Sequence, residues 1–276
     1  MALKDILVHV DNNKTCASRL ETAVNLALAH DAHLTGVCVV THPHYPGYLE
    51  AQIPSEVLEG QRAAAKEMAE EGKKAFTDAV GKNKLAGECR IVEGDLIDTL
   101  ALHGRYSDVL VVSQRDPDSN YTPGDMPDRL ILSVGRPVIV VPYAGRYPTV
   151  GQNIMVAWDT SRLATRAVND ALPIMQAAKK VTIIALNPHG GEQGHGEVVG
   201  ADIALHLARH GVKAEATHVY VDDIEVSDML LSRAADAGAD MIVMGAYGHR
   251  RLHELVLGGV TQHLLGHMTA PVLMSH

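Results

Sequence analysis

The stretch that decides the fold is MGAYGHRRLHELVLGGVTQHLL, residues 244–265. It begins at the end of a short apolar run, passes through a polar segment and ends in an amphipathic one. This order predicts a strand, a turn, a loop and the start of a helix. Four glycines lie where the predicted turn begins and where the predicted helix starts: Gly245, Gly248, Gly258 and Gly259.

Glycines at these two places favour the binding of an anion. They let backbone N–H groups approach a ligand closely, and the free N–H groups at a helix N-terminus attract negative charge such as phosphate. His249, Arg250 and Arg251 follow the first glycine pair and add positive charge. The stretch therefore indicates a phosphate site.

The strand-to-helix pattern occurs in duplicate along the chain. Residues 6–10 form an apolar run before Asp11, and residues 154–158 form another before Asp159. Setting Pro137 against Pro271 gives an offset of 134 that also pairs further residues of the two halves. We predict two tandem βαβαβαβαβ domains with doubly wound parallel sheets, at residues 1–147 and 148–276.

Hydrophobic periodicity and turn residues place the elements within each domain. The predicted strands are 6–10, 34–40, 88–92, 109–113, 137–141, 154–158, 181–186, 214–221, 241–245 and 271–274. The predicted helices include 17–30, 55–80, 96–104, 163–178 and 224–237.

Composition limits the classes of function. A formal net charge of -9 over 276 residues argues against a general nucleic-acid or membrane surface. No segment reaches about 18 consecutive apolar residues, and the first residues lack the apolar run expected of a signal peptide. Cys16, Cys38 and Cys89 form no Cys-x-x-Cys pair and read as reduced, mostly buried thiols. These features predict a cytoplasmic protein.

The doubled pattern, a first strand ending in aspartate, and the motif G-x-x-G-x9-G resemble the universal stress protein family in its tandem, UspA-like form. The resemblance implies the Rossmann-like fold of adenine nucleotide alpha hydrolases, with strand order 3-2-1-4-5 in each domain. In the family, a Ser or Thr follows the last glycine in members that bind ATP. Here Gly259 stands at that position, so the backbone donors remain without the hydroxyl, and Thr261 lies one turn deeper.

The resemblance also implies which residues hold the nucleotide. Asp159 is expected near the adenine and ribose, and Leu186 beside the base. Around the phosphates we expect Gly245, Gly248, His249, Arg250, Gly258, Gly259, Val260 and Thr261. In the first domain Ser113 replaces Gly245 and Asp116 replaces Gly248, followed by Pro117, so we predict no ATP binding there.

The predicted function is a stress-response protein that binds ATP, with or without Mg²⁺, through its second domain. It acts by binding an unidentified protein partner, and we assign no catalytic residue. One alternative is a scaffold that dimerises without nucleotide, which Gly259 favours; another is a slow ATP hydrolase or a metal-assisted hydrolase that uses histidines. The two fifth strands could pair within one chain or leave a surface for a homodimer.

Two further patterns have simpler interpretations. The glycines of residues 190–200 resemble a dinucleotide fingerprint, but they follow the second strand of the domain rather than the first, and we predict a surface loop. Histidine pairs spaced four apart share a helix face but lack an evident third ligand, so we predict solvated helix faces rather than a metal site, with a site that uses His42, His44 or His195 as the alternative. These pairs are His206 with His210, His249 with His253, and His263 with His267.

Overall fold

A computed structural model of the chain describes residues 2–41, 52–117, 124–187, 200–220, 224–247 and 259–276. These residues form one ten-stranded sheet with α-helices on both faces. The strands are β1 (Asp5–Val10), β2 (His33–Val40), β3 (Gly87–Glu93), β4 (Val109–Ser113), β5 (Val138–Val141), β6 (Asn153–Ala157), β7 (Lys180–Leu186), β8 (Ala214–Val219), β9 (Met241–Gly245) and β10 (Val272–Ser275). The helices are α1 (Cys16–His30), α2 (Ser55–Asn83), α3 (Leu96–Gly104), α4 (Met126–Ser133), α5 (Arg162–Ala177), α6 (Ala201–Arg209), α7 (Val226–Asp236) and α8 (Gly259–His267).

The strand order is β3-β2-β1-β4-β5-β10-β9-β6-β7-β8, so each half has the predicted order 3-2-1-4-5. Neighbouring strands within a half are parallel. The halves join through β5 and β10, which pair antiparallel with Val140 opposite Val272. The two fifth strands therefore pair within the chain, which settles the alternative that the sequence left open.

The strand register confirms the tandem duplication. Leu110 of β4 lies opposite Val138 of β5, and Ile242 of β9 lies opposite Val272 of β10. Val138 and Val272 are related by the offset of 134 found in the sequence. The same register makes Ser113 and Gly245 equivalent, since each is the last residue of its strand.

The core consists of two apolar layers, one on each face of the sheet. Helices α1, α2, α5 and α6 pack on one face, and α3, α4, α7 and α8 pack on the other. The central strands are buried on both faces, which explains continuous apolar runs such as VIVV in β5.

Helix α2 packs through a narrow apolar stripe, as its charged sequence predicts. Its buried residues are Ala69, Gly72, Phe76 and Val80, spaced three or four apart. The helix continues to Asn83, beyond the predicted end at residue 80, because the chain leaves the helix only where Lys84 becomes left-handed, with φ 52°. Helix α7 begins at Val226 rather than at 224, because Glu225 is still extended.

Strand β8 is described as far as Val219, and the last residue of its predicted range lies outside the described residues. Of the three cysteines, Cys16 and Cys38 are buried and Cys89 is half-buried, and all are free thiols. Within the described ranges, no helix combines the length and the apolar character needed to cross a membrane.

Candidate functional site

The second half has a switch point between β6 and β9. These strands are parallel neighbours, and the sheet continues from β6 toward β7 and from β9 toward β10, in opposite directions. In an open α/β sheet, such a reversal leaves a crevice at the carboxyl ends of the strands. Asp159 follows the end of β6, and Gly245 ends β9, so both lie at this crevice.

Asp159 organises the turn that leads into α5. Its Oδ1 accepts a hydrogen bond of 2.9 Å from the Ser161 N–H, and the side chain remains exposed. Ser161 caps the helix, since its Oγ accepts a 3.0 Å hydrogen bond from the Ala164 N–H. The cap is therefore Ser161, two residues after Asp159.

Packing by itself is enough to require a glycine at position 245. A Cβ at this position would lie 2.5 Å from the backbone carbon of Leu163 and 2.6 Å from the Ala164 nitrogen. The first turn of α5 therefore rests directly on the end of β9. This turn also brings Asp159 and Gly245 together, since Ala164 contacts the Ser161 cap on one side and approaches Gly245 on the other.

The turn after β9 is held by side chains from two other helices. Tyr247 adopts a left-handed conformation with φ 63°. Its N–H donates to Thr261 Oγ1 of α8 at 3.3 Å, and its phenol donates to Asp128 Oδ1 of α4 at 2.5 Å. Burial, with the Asp128 carboxylate second, raises the pKa of Tyr247 far above its ordinary value. The buried Thr261 hydroxyl thus stabilises the turn.

The other predicted phosphate residues divide into two groups. Gly248, His249, Arg250 and Gly258 lie outside the described residues. Gly259 is exposed at the first position of α8, and a Cβ there would have no other atom within 4 Å; Val260 beside it is also exposed. Leu186 ends β7 and is half-buried against the apolar layer that also contains Tyr247.

The matching crevice of the first half contains a buried ionic network. Arg19 of α1, 1% exposed, donates through Nε to the His9 carbonyl oxygen and through Nη1 to Ser113 Oγ, each at 2.6 Å. Its Nη2 lies 2.9 Å from Asp11 Oδ1. Sequence analysis missed this network, although an arginine on the apolar face of a predicted helix was a usable signal.

Burial and neighbouring charge shift two pKa values in this network. Burial, with Arg19 second, lowers the pKa of His9 to about 4, partly opposed by Asp11. Burial would raise the pKa of Asp11, but Arg19 and His9 outweigh it and lower that pKa to about 2. At neutral pH the network therefore holds a neutral imidazole and an Asp11–Arg19 ion pair.

Asp116, the residue at the position of Gly248, is also paired in the first half. Its Oδ2 lies 3.3 Å from Lys14 Nζ, so a cation from the β1–α1 turn offsets the carboxylate that the sequence analysis placed against phosphate.

Two of the three histidine pairs lie within the described residues. His263 Nε2 lies 2.7 Å from Asp228 Oδ1, a carboxylate partner that the sequence did not reveal because Asp228 belongs to another helix. His263 and His267 stack with ring centroids 4.2 Å apart, and His206 and His210 lie 4.7 Å apart. Among the described residues, no three His, Cys, Asp or Glu side chains form a metal-binding group. The pair of His249 and His253 lies outside them.

The chain is similar in fold to solved universal stress proteins. One from Archaeoglobus fulgidus DSM 4304 aligns with TM-score 0.70 and 14% identity over 98% of this chain and 97% of its own. A Pseudomonas aeruginosa PAO1 protein described as functionally unknown aligns with TM-score 0.58 and 17% identity, over 99% and 92% of the two chains. No curated protein matches the sequence.

A family model extends the likeness from the fold to the sequence. The model for the universal stress protein family matches residues 2–142 and again residues 151–276, which together cover nearly the whole chain. The two matches correspond to the two halves of the ten-stranded sheet. The chain therefore belongs to the universal stress protein family, in its tandem form.

Proposed function

We propose that this chain binds an adenine nucleotide, ATP with or without Mg²⁺, at the switch point of its second domain, residues 148–276. The nucleotide changes the surface presented to a protein partner, and the protein acts by binding rather than by catalysis. The first domain, residues 1–147, is a copy that binds no ATP.

The observation that carries this proposal is the position of the glycine motif. Its described ends, Gly245 and Gly259, lie at the end of β9 and the start of α8, beside the strand that precedes Asp159. Ligands of open α/β sheets bind at such a switch point, and phosphates favour a helix N-terminus. Membership of the universal stress protein family supports the same choice of ligand.

The described residues fit a phosphate group at the start of α8. Apart from its chain neighbours and the backbone of α8 itself, no atom of the described residues lies within 4 Å of where a Gly259 Cβ would stand, so those residues leave the first-turn N–H groups open to an anion. Thr261 is 4% exposed and its Oγ1 accepts from Tyr247, so this hydroxyl is less open to a ligand than the exposed Gly259 position. Backbone donors would therefore supply most of the phosphate contacts.

The first domain carries charged side chains at its crevice. Arg19 reaches across from α1 to Ser113 at the end of β4, and Asp116 is paired with Lys14. A phosphate at this turn would meet the Asp116 carboxylate, where the second half has a glycine. This supports assigning nucleotide binding to the second domain alone.

The direct test is mass spectrometry of nucleotide released from freshly purified protein, followed by calorimetry with ATP. We expect one ATP per chain, binding abolished in Gly248→Val, and binding retained in Gly60→Val. The last variant is a control for the added side chain, because among the described residues a Cβ at Gly60 meets no atom within 4 Å. ATP should also slow tryptic cleavage at Arg250 and Arg251. Retained binding in Gly248→Val would place the nucleotide elsewhere.

A scaffold without nucleotide is the second candidate. Packing against Leu163 and Ala164 accounts for Gly245 without any ligand, and Gly259 lacks the hydroxyl of the family motif. The same calorimetry separates the two candidates, because a wild-type chain that binds no ATP selects the scaffold.

A further inference from the structure

We propose that Asp128, in the first half, is a positioning residue for the glycine turn of the second half. The nucleotide site of one domain is then complete only when the other domain is docked against it. This inference rests on the proposed function for its ligand, but the geometry of the turn can be tested without one.

The backbone of Tyr247 adopts an uncommon conformation. A non-glycine residue with φ 63° lies in a sparsely populated region, and surrounding contacts must hold it there. Tyr247 directly precedes Gly248, so its conformation sets the direction in which the chain enters the phosphate motif. Whatever fixes Tyr247 therefore also prepares that motif.

Two groups of contacts hold this turn from within the second half. The Tyr247 N–H donates to Thr261 Oγ1 at 3.3 Å, and the Ala246 N–H donates to the Ser275 carbonyl oxygen at 2.9 Å. His276 Nδ1 lies 3.1 Å from the Ala246 carbonyl oxygen, and its ring meets the Tyr247 ring edge-on at 6.3 Å. These contacts hold the backbone but leave the phenol to be fixed elsewhere.

The phenol is fixed from the first half. Tyr247 Oη donates to Asp128 Oδ1 at 2.5 Å across 119 residues of sequence. Asp128 is 9% exposed and lies in the first turn of α4, where the helix dipole stabilises its charge. Helix α4 is itself anchored by the fully buried Met126 and Leu130. The carboxylate therefore presents a fixed, charged acceptor to the turn of the other half.

The hydrogen bond is of the kind that matters energetically. A half-buried phenol and a buried carboxylate satisfy each other, and a charge-assisted hydrogen bond is roughly twice as strong as a neutral one. Tyr247→Phe removes the donor, and Asp128→Asn leaves only a neutral acceptor, so each weakens the turn's one described side-chain anchor to the first half. We expect this to weaken phosphate binding without a change in any residue of the phosphate motif.

Calorimetry with ATP tests the inference on four variants. Asp128→Asn and Tyr247→Phe should each weaken ATP binding about tenfold, and the double variant should be no weaker than either single one. Arg166→Met is the control: it removes another hydrogen bond between the halves, from Arg166 Nη2 to the Gly135 carbonyl oxygen at 3.0 Å, away from the turn. Its ATP affinity should match the wild type. Unchanged affinity in Asp128→Asn overturns the inference.

Hydrogen exchange gives a readout that needs no nucleotide. In Asp128→Asn, peptides covering residues 244–247 and 259–263 should exchange faster, and Arg166→Met should leave them unchanged. If the wild-type chain binds no ATP but Asp128→Asn still makes these peptides exchange faster, the positioning role stands and the proposed function is refuted. If the wild-type chain binds ATP and Asp128→Asn changes neither the exchange rate nor the ATP affinity, the proposed function stands and the positioning role is refuted.

Discussion

The two halves of the sheet share one strand order but fill their switch points in different ways. Equivalent positions can be matched by counting from Asp11 and Asp159 and by the last residues of β4 and β9. At these positions the first half has polar side chains and the second half has small ones. The matched pairs are His9 with Ala157, Arg19 with Ala167, and Ser113 with Gly245. One half bridges strand and helix with a buried ion pair, and the other brings helix and strand into backbone contact. A duplicated fold can therefore retain its topology while its two copies fill the switch point with different side chains.

The largest expected effect is the loss of Arg19. Arg19→Met keeps much of the side-chain volume but leaves the Asp11 carboxylate, 19% exposed, without its cation. Breaking a buried ion pair in this way should cost about 3–5 kcal/mol of unfolding free energy, measured by denaturant titration. Arg166→Met, at a side chain 45% exposed, should cost less than about 1 kcal/mol. Equal losses in the two variants would contradict a structural role for the network.

Acid should weaken the first half through His9. Its pKa is about 4 in the folded chain against an ordinary 6.5, so the unfolded chain binds more protons between these values. Stability should therefore fall by up to about 3 kcal/mol as the pH drops from 6.5 to 4.

His9→Gln isolates this contribution. Burial also lowers the pKa of His30, which acts in the same direction in both proteins. Asp11 contributes only in more acidic solution, because its pKa falls from 3.8 to about 2 on folding. Denaturant titrations between pH 7 and 4.5 should show a shallower loss in His9→Gln than in the wild type. Parallel curves for the two proteins would exclude His9 as the cause.

Placing the serine of the first half at the equivalent position of the second half should destabilise the protein by less than the loss of Arg19. Gly245→Ser introduces a Cβ that would lie 2.5 Å from the Leu163 backbone, which forces α5 away from β9. Overpacking of this kind costs about 1–3 kcal/mol, measurable by denaturant titration. Gly266→Ser, where a Cβ meets no atom within 4 Å, should stay within about 0.5 kcal/mol of the wild type. A tolerated Gly245→Ser would mean that the backbone contact is not required.

The smallest effect is expected at the position that departs from the family motif. Gly259→Ser restores the hydroxyl in open space and should strengthen ATP binding about fivefold, the value of one modest hydrogen bond. Gly259→Ala fills the same space without the hydroxyl and should not strengthen binding. Calorimetry with ATP on the wild type and the two variants measures the difference. Equal affinities in the serine and alanine variants would mean that the phosphate does not bind at this position.

Local sequence patterns predicted the fold well, because they record which face of each element is buried. The apolar runs, the helix of residues 96–104 and the offset between Val138 and Val272 all correspond to observed elements. The resemblance to a family supplied the strand order. Hydrophobic periodicity could not show whether the fifth strands pair within the chain, because an apolar edge strand has the same sequence pattern whichever strand pairs with it.

The site was less accessible to sequence reasoning because its contacts connect distant residues. Arg19 and Ser113 are 94 residues apart, and Tyr247 and Asp128 are 119 apart. Neither pair belongs to a motif with fixed spacing. Gly245 shows the opposite problem, since one residue satisfies both a packing requirement and a ligand motif, and its presence alone cannot separate them.

The bond between Tyr247 and Asp128 has a consequence for symmetry. In a dimer of identical single-domain chains, every contact across the twofold axis is repeated with the same two residues. Here the positions equivalent to Tyr247 and Asp128 carry Arg115 and Gln262, so the bond between tyrosine and aspartate has no second copy. When the two copies are fused into one chain, neither has to be complementary to an identical copy. Each can therefore become specific for the other, which is always present in equal amount.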